Sequence, residues 1–177
     1  MSTRFWFLAV MIIAAAAMRI LPHPPNMTPV AAMAIFGGAH FTRRWQSFAV
    51  PLGAMVLSDA ILELMFGWGF HPLLPVVYLT IAAIVGLGVW LRPRRRQPLA
   101  IAGTALAAST IFFVTTNFAV WAMGSGYPHT AAGLLACYTA AIPFYQWTMI
   151  GDLFYAAVLF GALAAAELRF PALAETR

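Results

Sequence analysis

A series of long apolar runs, separated by short segments that hold nearly all of the arginine, constrains this chain more than any other feature. Residues 73–91 and 101–123 contain no charged side chain at all. With 177 residues, 63% of them hydrophobic, a soluble domain has too little interior to hide such runs from water, whereas bilayer hydrocarbon accepts them. The sequence therefore predicts an all-α integral membrane protein.

A membrane-crossing helix needs about twenty mostly apolar residues at about 1.5 Å rise each. Five segments reach that length: 5–21, 48–66, 73–91, 99–123 and 144–168. A sixth, 30–41, would be only about 18 Å long as a helix, short enough for a re-entrant stub. The basic residues, ten arginines and no lysine, decide between stub and span. If 30–41 crosses, Arg4, Arg43, Arg44, Arg92, Arg94, Arg95, Arg96, Arg169 and Arg177 share one face, which the positive-inside rule makes cytoplasmic. If it does not, the cluster at 92–96 falls on the wrong side. The expected architecture is thus a single domain over residues 1–177, with six transmembrane helices and cytoplasmic N- and C-termini, in a bacterial inner (plasma) membrane. The same charge argument forbids a seventh span over 130–142, which reads as an outer loop with a short helix on or dipping into the membrane, closed by Pro143. The outer connections are then 22–29, 67–72 and 124–143.

Arg4 followed by an apolar run and Ala14 to Ala17 has the outline of a secretory signal, although a retained first span is the expectation. The single cysteine, Cys137, excludes an internal disulfide framework. Topology accounts for the basic balance, so no nucleic-acid partner is implied. The 92–96 cluster reads as a stop-transfer loop, and secondarily as a contact for anionic membrane lipid.

Asp59, Glu63 and Asp152 fall inside spans, where an ionised side chain costs at least about 2.5–3.5 kcal/mol at the centre. Asp59 and Glu63 are four residues apart, so they are expected on one helix face, aimed at the same neighbour. Asn117 and Trp121 repeat that spacing on the fifth span, with Thr110 and Phe113 continuing the face, and Arg19 ends the first span. One carboxylate can pair with Arg19. At least two then lack a cationic partner from the spans, which suits a site for a cationic or hydrogen-bond-donating solute, or a proton. Trp68, Phe70, Tyr127, Tyr138, Phe144, Tyr145 and Trp147 crowd the same end and read first as an interfacial belt. His23, His71 and His129 lie on three separate loops and read as solvated, so no metal or other cofactor is called for. Small residues spaced by four, Ala34/Gly38, Gly103/Ala107 and Gly161/Ala165, permit close helix contact within the bundle, in self-association or against another membrane subunit.

The stretch Arg19-Ile-Leu-Pro-His-Pro-Pro-Asn26-Met-Thr-Pro-Val-Ala-Ala-Met-Ala-Ile-Phe-Gly-Gly38, with Leu57-Ser-Asp59, Thr116-Asn117-Phe-Ala-Val-Trp121 and Ile142-Pro-Phe144, resembles an uncharacterised family of membrane transport proteins. That family is similar in turn to the substrate-binding S components of energy-coupling factor (ECF) vitamin transporters. The resemblance implies a six-helix bundle with an extracytoplasmic solute site and an ATP-driven coupling module as partner. S components typically carry an Ala-x-x-x-Ala docking face on the first helix; here Ala9 is followed four residues on by Ile13, and Ala14 by Met18. The chain itself has no P-loop. The expectation is a non-enzymatic transport subunit that captures a small-molecule solute through Arg19, Asn26, Asp59, Glu63, Asn117, Trp121 and Asp152. The rivals are corrinoid or other cofactor uptake, with an outer histidine or Cys137 meeting cobalt, a membrane enzyme using the intramembrane carboxylates, and a structural membrane subunit.

Overall fold

The computed structural model describes residues 2–174. Among them the chain forms six α-helices: α1 (Thr3–Ala17), α2 (Val30–His40), α3 (Arg44–Phe66), α4 (Leu74–Leu91), α5 (Pro98–Met123) and α6 (Ala131–Arg169). Single 3-10 turns follow α1, α4 and α6 at Met18–Ile20, Arg92–Arg94 and Pro171–Leu173. α3, α4, α5 and α6, and α1 taken with the turn that follows it to Ile20, are long and apolar enough to cross a membrane. Arg177, counted among the cytoplasmic arginines, lies outside the described residues.

Local chemistry sets the helix ends. Ser2 Oγ accepts a hydrogen bond from the Phe5 amide and caps α1, and Thr130 Oγ1 does the same for α6 from the Gly133 amide. α5 opens on Pro98, whose missing N–H costs nothing at a helix start. α3 stops at Gly67, held at φ 72°, a left-handed conformation that glycine adopts without steric penalty.

The shortest helix is the centre of the bundle. All eleven residues of α2 are buried, and it packs on each of the other five helices, most extensively on α4. At about 16 Å it covers roughly half the hydrocarbon thickness. Between helices in lipid the hydrophobic effect supplies no attraction, so close packing decides the arrangement. α2 and α4 achieve it through glycine on both sides. A methyl group on Gly38 would lie 2.8 Å from the Gly88 Cα, and one on Gly88 would lie 2.9 Å from the Ile35 Cα. Gly37 likewise makes room for the ring of Pro51 on α3. The Ala34/Gly38 pair therefore serves internal packing. Gly103 and Gly161 do not, since a methyl group on either would meet nothing within 4 Å.

Ion pairs and hydrogen bonds gather the arginine-bearing helix ends. Arg4 on α1 bonds Glu167 on α6 at 2.6 Å and also reaches the Leu173 carbonyl, while Arg96 approaches Glu167 at 2.7 Å. Arg92 donates to the carbonyls of Gly38 (2.9 Å) and Phe41 (2.7 Å) and to Ser47 Oγ (2.9 Å). The C-terminal end of α2 therefore lies with the arginines, and residues 21–29 together with α2 return the chain to the end from which α1 started. This is the route that the charge pattern required.

The expected separation of an outer 130–142 helix from a last span at 144–168 is corrected. α6 runs unbroken for 39 residues through Pro143. Proline withholds one backbone donor and crowds the carbonyl four residues earlier, which bends a helix and ends it only where nothing else holds the chain. Here α5 holds both flanks. Tyr138 donates to the Val114 carbonyl at 2.7 Å, Tyr145 shares a 2.7 Å hydrogen bond with Thr110, and Phe113 packs on both tyrosine rings. Between the Asn117–Cys137 and Ser109–Asp152 contacts, eight residues of α5 are matched by fifteen of α6.

Candidate functional site

The polar side chains inside the bundle form two layers. The first is a belt of hydrogen bonds crossing from helix to helix. Arg19, on the turn after α1, pairs with Asp59 of α3 at 2.7 Å, and its other terminal nitrogen meets Ser58 Oγ and Met55 Sδ (3.5 Å). Tyr78 of α4 donates to the second Asp59 oxygen at 2.6 Å. Thr80 of α4 bonds Thr115 of α5 at 3.0 Å, and Ser109 of α5 donates to Asp152 of α6 at 2.6 Å. At helical rise, Asp59 and Tyr78 lie about 20–22 Å from the arginine-bearing end.

Two carboxylates in this belt are equally buried, at 2% exposure each, and differently served. Asp59 has a cation on one oxygen and a phenol on the other. Asp152 has a single hydroxyl, and among the described residues no cation pairs with it. The backbone beside it is fixed from outside the helix: a methyl group on the adjacent Gly151 would lie 3.1 Å from the Met27 Cα, so the 21–29 segment is seated directly on this turn of α6.

The remaining site residues read from the sequence do not join the belt. The Glu63 and Asp59 side chains do not share a partner: Glu63 accepts from the Phe70 amide at 2.9 Å, tying the chain after Gly67 back onto α3. Only one turn of the helix separates them, but α3 ends there and its own connection folds over the outermost acid. The Asn117 amide donates to the Phe113 carbonyl of its own helix at 2.8 Å, and the Asn117 carbonyl accepts from Cys137. Trp121 donates to the Pro128 carbonyl at 3.0 Å and meets His129 edge-on, pinning the α5–α6 connection. Asn26 is exposed and adopts φ 65°, a left-handed position that asparagine tolerates better than most residues.

The second layer lies at the arginine end and centres on His40, at the C-terminus of α2, which sequence reading passed over. Its ring packs against those of Phe36 (4.8 Å) and Phe160 (5.1 Å), which also touch each other at 5.3 Å. At 7% exposure, neither ring nitrogen has a hydrogen-bond partner among the described residues. Each orphaned buried polar group typically costs about 1–3 kcal/mol, so this position is kept against a stability penalty. His40 forms part of the wall of two cavities. One, of about 590 Å³, lies among Arg4, Phe41, Arg43 and Trp45; the other, of about 570 Å³, lies between α5 and α6 beneath Arg95 and Arg96. Among the described residues no three His, Cys, Asp or Glu side chains converge to hold a metal ion.

Tyr78 and Ser109 were also missed. Each is a hydroxyl on a largely apolar helix, and only the tertiary partner, a carboxylate on another helix, gives it meaning.

Long apolar helices around a buried short one, interior polar groups bonded across helices and arginine collected at one end define a helical multi-pass membrane protein. More narrowly, the chain belongs to a family of unknown function, DUF6580, whose model matches residues 1–173. No curated protein and no solved structure matches it.

Proposed function

We propose that this protein is a membrane transport protein, a solute-binding subunit of the S-component kind, in which Asp152 is the group that meets a cationic or hydrogen-bond-donating solute. The observation that carries the reading is the inequality of the two belt carboxylates. Asp59 is fully engaged by Arg19 and Tyr78 and serves as scaffold, whereas Asp152 holds only the Ser109 hydroxyl. An unpaired carboxyl group inside a membrane bundle is expensive and is a functional candidate by default. The Met27 segment seated against Gly151 covers this turn of α6 with non-helical backbone. Asn26, on the connection into α2, and Trp121, in the last turn of α5, would shape the approach.

Native mass spectrometry of gently purified protein tests this. Wild type should carry a small non-lipid adduct, and Asp152→Asn should lose it while melting within a few degrees of wild type. Arg19→Gln should melt much earlier. An adduct unchanged in Asp152→Asn, or retention of phospholipid masses alone, defeats the reading.

A further inference from the structure

We infer that the arginine end contains a binding site for an anionic phospholipid, its phosphate held around His40 and its acyl part laid along the α5–α6 cleft. This site is separate from the belt that contains Asp152.

Three observations converge there. His40 is more than nine-tenths buried, lines both cavities and offers two ring nitrogens that no described residue engages. Its ring packs against those of Phe36 and Phe160, so both nitrogens are left without a partner among the described residues of the bundle. Among the described residues, Arg4, Arg43 and Arg96 line the two cavities together with one carboxylate, Glu167, which already bridges Arg4 and Arg96. Guanidinium forks matched to oxyanion geometry, with an imidazole N–H beside them, are the donors that a phosphate takes.

The third observation selects the phospholipid over a free anion. Beyond Arg95 and Arg96 the second cavity continues as an apolar cleft walled by Ile101, Ala102, Ala157, Phe160 and Ala164. At Gly161 the cleft is open enough that an added methyl group would meet nothing within 4 Å. Inorganic phosphate has no use for such a wall, whereas an acyl chain fills it.

The test uses the full-length protein in non-ionic detergent, titrated with phosphatidylglycerol, phosphatidylcholine or inorganic phosphate, with thermal unfolding and native mass spectrometry as readouts. Phosphatidylglycerol should raise the melting temperature and remain bound; phosphatidylcholine should do neither. His40→Phe, which keeps the three-ring cluster and removes both nitrogens, should weaken phosphatidylglycerol about tenfold or more, as loss of a hydrogen bond to a charged group predicts. Gly161→Leu, which fills the apolar cleft and touches no charge, should weaken the lipid as well and leave any effect of inorganic phosphate unaltered. Arg43 is exposed, so Arg43→Gln serves as the head-group variant if His40→Phe fails to fold. Equal binding of phosphatidylcholine overturns the proposal, as does full phosphatidylglycerol affinity in Gly161→Leu. Stabilisation by inorganic phosphate alone, with no lipid retained, identifies a soluble anion as the ligand and also overturns it.

Discussion

The belt and the arginine end are both polar regions in an apolar bundle, and they differ in what is left unsatisfied. In the belt, donors and acceptors meet side chain to side chain across neighbouring helices in three groups, Arg19–Asp59–Tyr78, Thr80–Thr115 and Ser109–Asp152. At the arginine end, Arg4 and Arg96 share Glu167 and Arg92 donates to two carbonyls at the end of α2 and to Ser47, while the His40 ring nitrogens have no partner among the described residues. Satisfaction marks scaffold, and its absence marks a place where something else is to bind. By that measure the belt is scaffold everywhere except at Asp152, and the arginine end is scaffold everywhere except around His40.

Thermal unfolding of the purified protein in detergent can break this division. Arg19→Gln should have the largest effect, because it strands a buried carboxylate, a loss of about 3–5 kcal/mol for such pairs. Adding Asp59→Asn to it should recover much of the loss; a double variant no better than the single one would mean that the pair is not the scaffold. Arg92→Met comes next. It frees the Gly38 and Phe41 carbonyls and loses the favourable charge at the helix C-terminus, for about 1.5–3 kcal/mol. Tyr78→Phe should cost less, about 0.5–1.5 kcal/mol, since Arg19 still holds Asp59. His40→Phe should be smallest, within about 1 kcal/mol of wild type in either direction, because the ring is kept and two unsatisfied nitrogens are removed. If His40→Phe instead destabilises as much as Arg92→Met, its nitrogens have partners in the folded protein and the contrast between the two regions collapses.

The long helices were legible because length and hydropathy are local. α3, α4 and α5 begin and end within a turn or so of the expected spans, and charge alone sent the chain back to the arginine end through 30–41. The Arg19 pairing was foreseen as one option, since a lone cation among intramembrane acids must find one of them, but nothing local chose Asp59 over Glu63. The choice depends on α3 stopping at Gly67 and folding its own connection over Glu63. Pro143 misled for the complementary reason: a helix breaker was read without the neighbour that splints it. Asn117 and Trp121 share a face as their spacing requires, yet their polar atoms are engaged by local backbone, a competition that periodicity does not register. His40 gave a faint signal, a histidine closing an apolar helix just before Arg43 and Arg44, and acquired significance only when α6 brought Phe160 beside it.

The burial of α2 has a consequence for how the molecule is made. With eleven residues, none of them exposed, α2 is too short to partition into lipid as an independent span and has no surface that lipid would solvate. Its seat is built from helices on both sides of it in the sequence, with α4 meeting it at Gly88 and α6 at Phe160. Insertion of the long helices must therefore come before α2 is locked in place, and the ribosome finishes α6 last. Until then the second helix is a passenger, and α6, the last of these six helices to be made, completes its enclosure.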